Sequence, residues 1–305
     1  MLKFKAIADE TRLRLAAVLS HYELSVNELV KIFGKGQSRI SRNLKILSEA
    51  GLVRCRRDGL WAFYSAVSAG ANADFLAANL PHFSDQAKLE ADLKLAGQML
   101  EERAQRTRQF FNSIADNWDD LNREVLGDFD LSARVLQALP VPCDVAVDLG
   151  CGTGIILDAL RGRGVPTVIG VDGSQSMLEQ CRQRMACQGG QTGVSLRIGD
   201  LSHLPLANEE ADFISINLAL HHVPDPAEVL AEIRRVIRGR GRLFIAEFLK
   251  HDDESMRRLY GDQWLGFDQV ELTDFLAASK FSRLSCKTWP VRHNHTLMTL
   301  VARPF

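Results

Sequence analysis

The sequence predicts two domains of different class: a small α+β unit, then an α/β doubly wound, mostly parallel sheet. The first seventy residues read helix, helix, helix, hairpin, whereas after Leu131 short apolar runs alternate with helical stretches. Charge divides the chain in the same way. Residues 1–70 hold 12 Lys+Arg against 6 Asp+Glu, residues 71–130 hold 6 against 12, and residues 131–305 hold 19 against 20, all beneath a net charge of −1. The organisation this predicts is 1–70, a helical dimerisation, linker and lid segment over 71–130, and 131–305. A basic segment of domain size is the electrostatic footprint of a polyanion binder.

The chain has 305 residues, 46% apolar and 25% charged, which fits two globular domains and excludes disordered and fibrous classes. No apolar run approaches the roughly 18 residues of a membrane span. Acidic residues stand where a signal peptide would be apolar, so the expected location is cytoplasmic. The six cysteines (Cys55, Cys143, Cys151, Cys181, Cys187 and Cys286) form no C-x-x-C pair. They read as reduced, mostly buried thiols.

Ile7 to Leu19 is apolar at helical spacing, with Asp9 and Glu10 near its start. Ser25 caps a short helix, Val26 to Phe33, and Glu28 three residues on completes a capping box. Gly34-Lys35-Gly36 breaks the chain, and the next helix, Gln37 to Ala50, stops at Gly51. Leu52–Arg56 and Trp61–Val67 flank Asp58-Gly59, a hairpin signal.

Within Gln37–Ala50, Ile40, Leu44 and Leu47 make an inner face. Ser38, Ser41, Arg42 and Lys45 make an outer one, with Gln37 and Arg39 beside its start. That is the chemistry of a major-groove helix: Arg pairs with guanine, Gln with adenine, and serine hydroxyls reach phosphates. Arg54, Arg56 and Arg57 surround the hairpin turn, suited to phosphates or a minor groove.

The runs Ala8-Asp9-Glu10-Thr11-Arg12-Leu13, Gln37-Ser38-Arg39-Ile40-Ser41-Arg42-Asn43-Leu44 and Leu47 to Val53 resemble the ArsR-type winged helix-turn-helix repressors over about residues 1–70. The resemblance implies a homodimer on a palindromic operator, with a recognition helix in the major groove and the hairpin as wing. Its DNA-facing residues here are Gln37, Ser38, Arg39, Ser41, Arg42, Lys45, Arg56 and Arg57. Asn43 stands where a histidine is more usual. Metal-sensing relatives carry ligands that this chain lacks: residues 24–33 contain no cysteine and His82 stands alone, so no metal is expected. Leu89, Leu93, Ala96 and Leu100 form an apolar stripe on a long acidic helix that packs on its own domain or on a symmetry mate, and the assignment favoured is the symmetry mate.

In the second half the expected strands are Val145–Leu149, Thr167–Asp172, Val194–Gly199, Ala211–Leu218 and Arg242–Phe248. Helices over Ile155–Arg163, Ser176–Cys187 and Pro226–Arg238 separate them, and Phe281–Trp289 with Thr296–Ala302 end the sheet as an antiparallel hairpin. Asp148-Leu149-Gly150-Cys151-Gly152-Thr153-Gly154 joins the first strand to a helix. Its spacing differs from the dinucleotide fingerprint G-x-G-x-x-G, whose third glycine would fall at Ile155. Asp172, Asp200 with Leu201, and Asn217 end the next three strands, whose carboxyl ends converge on one crevice. Asp172 is placed for ribose hydroxyls and Asp200 for an adenine amino group.

These motifs, with Val171-Asp172-Gly173-Ser174-Gln175-Ser176-Met177, resemble class I S-adenosylmethionine-dependent methyltransferases from about Leu131 to Phe305. The resemblance implies a seven-stranded sheet. It places Gly150 and Gly152 at the methionyl part, Asp148 at its ammonium, Asp172 at the ribose, and Met177, Asp200 and Leu201 around the adenine, with Cys151, Gly173 and Asn217 also among the cofactor-binding residues. Phe110-Phe111 and Trp118 lie in a stretch like the lid of such enzymes, or in a helix simply packed on the sheet. His221 and His222 are the general-base candidates, or they shape the pocket. His293 and His295 read as surface residues, and Trp264-Leu265-Gly266-Phe267 falls where this fold builds an acceptor pocket.

Two functions follow. One is a transcriptional regulator whose rear domain senses S-adenosylhomocysteine or S-adenosylmethionine, similar to the S-adenosylhomocysteine-responsive ArsR-type repressors of the methionine cycle. The alternative is an active small-molecule methyltransferase that carries a DNA-binding domain.

Overall fold

The computed structural model describes residues 1–82, 85–187 and 192–305. It divides into two compact units, Met1–Ala104 and Gln105–Phe305. The acidic segment that the sequence sets apart over 71–130 is therefore shared between them.

The first unit begins with α1 (Leu2–Ile7) and α2 (Glu10–Leu19), where one helix was expected from Ile7. The break falls at Asp9, whose extended backbone and side chain cap α2 by accepting from the Arg12 amide at 3.0 Å. A short strand, β1 (Leu24–Ser25), leads into α3 (Val26–Phe33) and α4 (Gln37–Glu49). The Ser25–Glu28 capping box is formed, and Gly34 closes α3 in the left-handed conformation. Strands β2 (Val53–Asp58) and β3 (Trp61–Ala66) pair antiparallel, and β1 adds to β3. Leu15, Leu29, Ile40, Leu44 and Leu47 are buried together as its core.

Helix α5 (Ala71–Asn79) precedes the long α6 (Gln86–Ile114), within which the boundary between the units falls. The stripe assigned to a symmetry mate instead packs at home. Ala96 is buried in the first core, and Leu89 and Leu93 lie against it. Asp92 accepts twice from Arg14 at 2.7 Å, and Arg103 pairs with Glu28. Bidentate pairing of a buried carboxylate fixes the helix direction more sharply than apolar contact alone.

The second unit adds α7 (Trp118–Leu126), α8 (Leu131–Ala138), β4 (Val145–Leu149), α9 (Ile155–Gly162), β5 (Thr167–Asp172), α10 (Gln175–Cys187), β6 (Val194–Ile198), β7 (Ala211–Asn217), α11 (Pro226–Val236), β8 (Ile237–Phe248), α12 (Ser255–Leu259), α13 (Gln269–Ala278), β9 (Phe281–Pro290) and β10 (Thr296–Pro304). The seven strands run in the order β6-β5-β4-β7-β8-β10-β9, with β10 antiparallel to both neighbours. Alternate residues feed opposite cores: Val147 and Leu149 face α11 and α13, while Ala146 packs with α8 and α9. Helix α11 ends at Val236, two residues earlier than expected, because Ile237 already pairs with Ala211 before the register shifts ahead of Phe213.

Both faces of the sheet are covered, so its free polar ends lie along the strand termini. The strand order reverses at β4, which puts the crevice at the carboxyl ends of β4, β5 and β7.

Candidate nucleic-acid face and nucleoside crevice

In the first unit, α4 exposes Gln37, Ser38, Arg39, Ser41, Arg42 and Lys45 while burying Ile40, Leu44 and Leu47. Asn43 is also buried and donates to the Arg39 carbonyl at 3.0 Å, so the residue departing from the usual histidine serves the helix itself. Lys45 sits 3.8 Å from Glu49 on the surface, a weak pair that leaves its charge available.

On the hairpin, Arg57 is exposed. Arg56 is not placed as expected. It pairs with Glu23 at 2.7 Å and Asp58 at 3.1 Å, and lies over the Phe63 ring at 4.7 Å. Asp58 is fully buried, so Arg56 compensates an enclosed charge inside its own domain.

In the second unit, β4 delivers Asp148 to the crevice at 2% exposure. Its Oδ1 accepts from Ser215 Oγ at 2.6 Å and Asn217 Nδ2 at 3.1 Å. Burial pushes its carboxyl up to about 7, against those hydrogen bonds and helped by the charge of Asp172. Asn217 Oδ1 is buried and has no hydrogen-bond partner among the described residues. Beside it Leu218 holds φ at +50°, a strained conformation for a branched side chain. An unfilled acceptor next to a buried acid is a place for a donor with positive charge, as an amino-acid ammonium is.

The glycine loop turns under β5. The Gly150 and Cys151 amides donate to the Val171 carbonyl at 2.8 and 3.1 Å, and the Gly152 amide donates to Asp172 Oδ2 at 2.8 Å. Gly154, at φ +85°, could carry no side chain, because a Cβ there would meet Cys181 Sγ at 2.4 Å. Burial raises the Asp172 carboxyl, opposed by amide donors from Ser174, Gly152 and Gly173. Met177 is fully buried, Leu201 half-buried, and Asp200 lies 3.8 Å from Arg108. Hydrogen bonds tie Asn217 to Asp148 and Gly152 to Asp172 at these strand ends.

Cys151 does not face the crevice. Its thiol is in the core against Gly170, and its backbone groups are used by Val171 and Gly154. Of the six cysteines only Cys151 and Cys181 are buried, while Cys55 and Cys187 are exposed.

The segment read as a lid packs over the loop. Trp118 Nε1 lies 3.2 Å from the place a Cβ on Gly152 would occupy, and Phe111 meets Trp118 edge-on at 5.4 Å. Asn112 accepts from Ser174 Oγ at 2.7 Å, and Asp119 accepts from Thr153 Oγ1 at 2.5 Å. None of these polar partners was legible as such, because each pair joins residues far apart in sequence.

The two histidines differ. His221 is enclosed between Glu247 (Nδ1 to Oε2, 2.6 Å) and Asp262 (Nε2 to Oδ1, 3.6 Å). Burial opposes its charge, but the two carboxylates outweigh that and lift it to about 9. A protonated ring held on both sides is a poor base. His222 is pushed well below its ordinary value by burial and by the charge on His221, and its ring meets Phe111 edge-on at 4.7 Å. His293 is exposed, but His295 is buried, 4.4 Å ring to ring from His251 and 3.3 Å from Asp253. Trp264 and Phe267 stack at 5.2 Å and are buried in the core.

Comparison with known proteins agrees with both units. Residues 9–54 match the family model of bacterial regulatory proteins of the arsR family, and residues 147–245 match that of the methyltransferase domain. An uncharacterised protein from a Streptomyces fradiae transposon is 38% identical over 145 residues, covering 46% of this chain and 41% of its own length. A demethylmenaquinone methyltransferase from Symbiobacterium thermophilum is 32% identical over 172 residues, covering 55% of this chain and 68% of its own. Among solved structures, the [4+2]-cyclase SpnF superposes with a TM-score of 0.58 at 16% identity, covering 66% of this chain and 95% of that one. A SAM-dependent methyltransferase from Aquifex aeolicus gives 0.52 at 18%, covering 64% and 98%.

Fold and crevice together define a class I methyltransferase domain. The chain belongs to the methyltransferase family, and it carries an arsR-family helix-turn-helix domain in front. No helix among the described residues is long and apolar enough to cross a membrane.

Proposed function

We propose that the protein is a cytoplasmic DNA-binding transcriptional repressor whose methyltransferase domain senses S-adenosylhomocysteine or S-adenosylmethionine. The observation that carries the reading is the pairing, in one chain, of an exposed Gln37–Lys45 face with a crevice that holds Asp148, the unfilled Asn217 oxygen and Asp172. In this reading Asp148 and Asn217 take the ligand's ammonium, and Asp172 takes the ribose hydroxyls. Gly173, Met177, Asp200 and Leu201 surround the nucleoside. The chain acts as a homodimer on a palindromic duplex. Leu2 at 63% and Phe4 at 59% exposure on α1, with Leu95 at 42% on α6, leave apolar surface for a second copy.

An effector shifts an equilibrium only by its unequal affinity for the two states; moving it from 1:99 to 99:1 takes about 5.5 kcal/mol. The two ligands offer a chemical difference to discriminate, a sulfonium cation with a methyl group against a neutral thioether. Calorimetry with each ligand, followed by mobility shifts on a duplex selected from a random pool at fixed salt, tests the proposal. Release of DNA by S-adenosylhomocysteine is expected, and unchanged DNA affinity with both ligands refutes it.

A second reading, a working methyltransferase, is favoured by the demethylmenaquinone methyltransferase relative and by a neutral His222 beneath Phe111. Transfer of labelled methyl groups to an extract beyond one per chain distinguishes it. The shared fold cannot, since one structural neighbour is a cyclase and another a methyltransferase.

A further inference from the structure

We propose that His221, His222 and Asp262 bind one divalent transition-metal ion of the zinc class within the second unit. The three residues are buried, and one ligand atom of each lies within 4.8 Å of the others. Two imidazole nitrogens and one carboxylate oxygen are a common catalytic-type zinc set, which leaves a coordination position for water or another donor.

The separation of His221 Nε2 and Asp262 Oδ1, 3.6 Å, is too long for a direct hydrogen bond. Two donors on a tetrahedral ion with bonds of about 2.0–2.1 Å stand roughly 3.4 Å apart, close to what is found here.

The other ring nitrogens are already committed. His221 Nδ1 faces Glu247 Oε2 at 2.6 Å, and His222 Nδ1 faces the Gly261 carbonyl at 3.3 Å. Both partners accept, so each Nδ1 donates its proton to them; an ion taken at the two Nε2 atoms displaces to solvent the second proton that the His221 ring otherwise carries. This is the outer arrangement that orients metal-bound histidines.

The frame around the trio is fixed. Glu247 accepts from the Ala219 and Leu220 amides at 3.0 and 2.8 Å. The Gln263 and Trp264 amides donate to the His221 carbonyl at 2.9 and 3.0 Å, which ties the Asp262 loop to the histidines. Arg257 donates to the carbonyls of Asp262 and Gln263 from the other side. None of the adenosyl-directed acids is used, so the ion and the proposed effector draw on different side chains. A His222 engaged this way is no longer available as a base.

The test uses the full chain, stripped with chelator and dialysed against Zn²⁺ or Co²⁺. One equivalent of zinc per chain is expected, with a raised Tm. Binding should weaken at least 100-fold in Asp262→Asn and His222→Ala, and about 10- to 100-fold in Glu247→Gln, which perturbs only the outer partner. His295→Ala, which disrupts the other histidine pair, should retain the ion. X-ray absorption on the zinc-loaded parent protein decides even where a variant fails to fold, and should show nitrogen and oxygen ligands alone. Substoichiometric zinc, sulfur in the coordination shell, or full retention by folded Asp262→Asn and His222→Ala each overturns the proposal.

Discussion

Helix α4 holds Gln37, Arg39, Arg42 and Lys45 out in solvent, whereas Asp148 is 2% exposed at the end of β4. The helix side chains stand in water, screened and able to exchange partners, which suits contacts to phosphates and base edges. Asp148 and Asp172 have their proton affinities raised by burial, and their donors are fixed by the glycine loop and β7. Placing a charge outside gives adaptable recognition with strong salt dependence. Placing it inside gives selectivity for one ligand geometry, together with sensitivity to pH.

Arg56 tests where the line between those two modes runs. It sits on the hairpin that carries exposed Arg57, yet it behaves as an interior charge. Arg56→Ala leaves Asp58 buried without this partner and should cost about 3 kcal/mol of stability, read by chemical denaturation. The salt dependence of DNA binding should stay unchanged. A lowered salt slope at unaltered stability would move Arg56 to the outer mode.

On a comparable scale, Asp172→Ala removes two hydrogen bonds proposed to reach the ribose hydroxyls from a charged group, each worth about 1.5–3 kcal/mol. Calorimetry should show S-adenosylhomocysteine binding weakened by roughly 100-fold or more, with operator binding intact. Arg42→Ala should do the converse, costing about 1–3 kcal/mol of duplex affinity and leaving ligand binding alone. Lys45→Ala should weaken all duplexes alike and reduce the salt slope by about one. Cross-effects between the two sets would blur the comparison.

The smallest effect is that of pH on Asp148. Its folded value, about 7, stands above the ordinary 3.8, so the folded chain binds the proton more tightly. Its contribution to stability is complete below the unfolded value and is lost as pH rises through about 7. Ligand binding runs the other way, since an ammonium favours the ionised carboxylate. Affinity should rise with pH, at most about tenfold per unit, and level off above 7. Tm and calorimetry between pH 5 and 8 should show both trends, flattened in Asp148→Asn.

Much of this architecture was legible because it rests on local rules. The Ser25–Glu28 capping box, the Asp58-Gly59 hairpin and the glycine loop after β4 each depend on neighbours in sequence. The strand ends that supply Asp148, Asp172, Asp200 and Asn217 were legible too, since a parallel sheet brings successive carboxyl ends to one edge. The stripe on α6 was read correctly as an apolar face but given the wrong partner. Periodicity shows that a face is buried and not what buries it; the Asp92–Arg14 pair decided that.

Sequence by itself determined the two domain classes, the exposed polar face of α4 and the acids at the strand ends, because spacing along a helix or a strand fixes those positions. Only the tertiary structure decided that Arg56 serves Asp58, that Cys151 points away from the crevice, and that Asp262 meets His221 and His222. Those contacts join distant segments, and their energies depend on burial and on partners that no local pattern encodes.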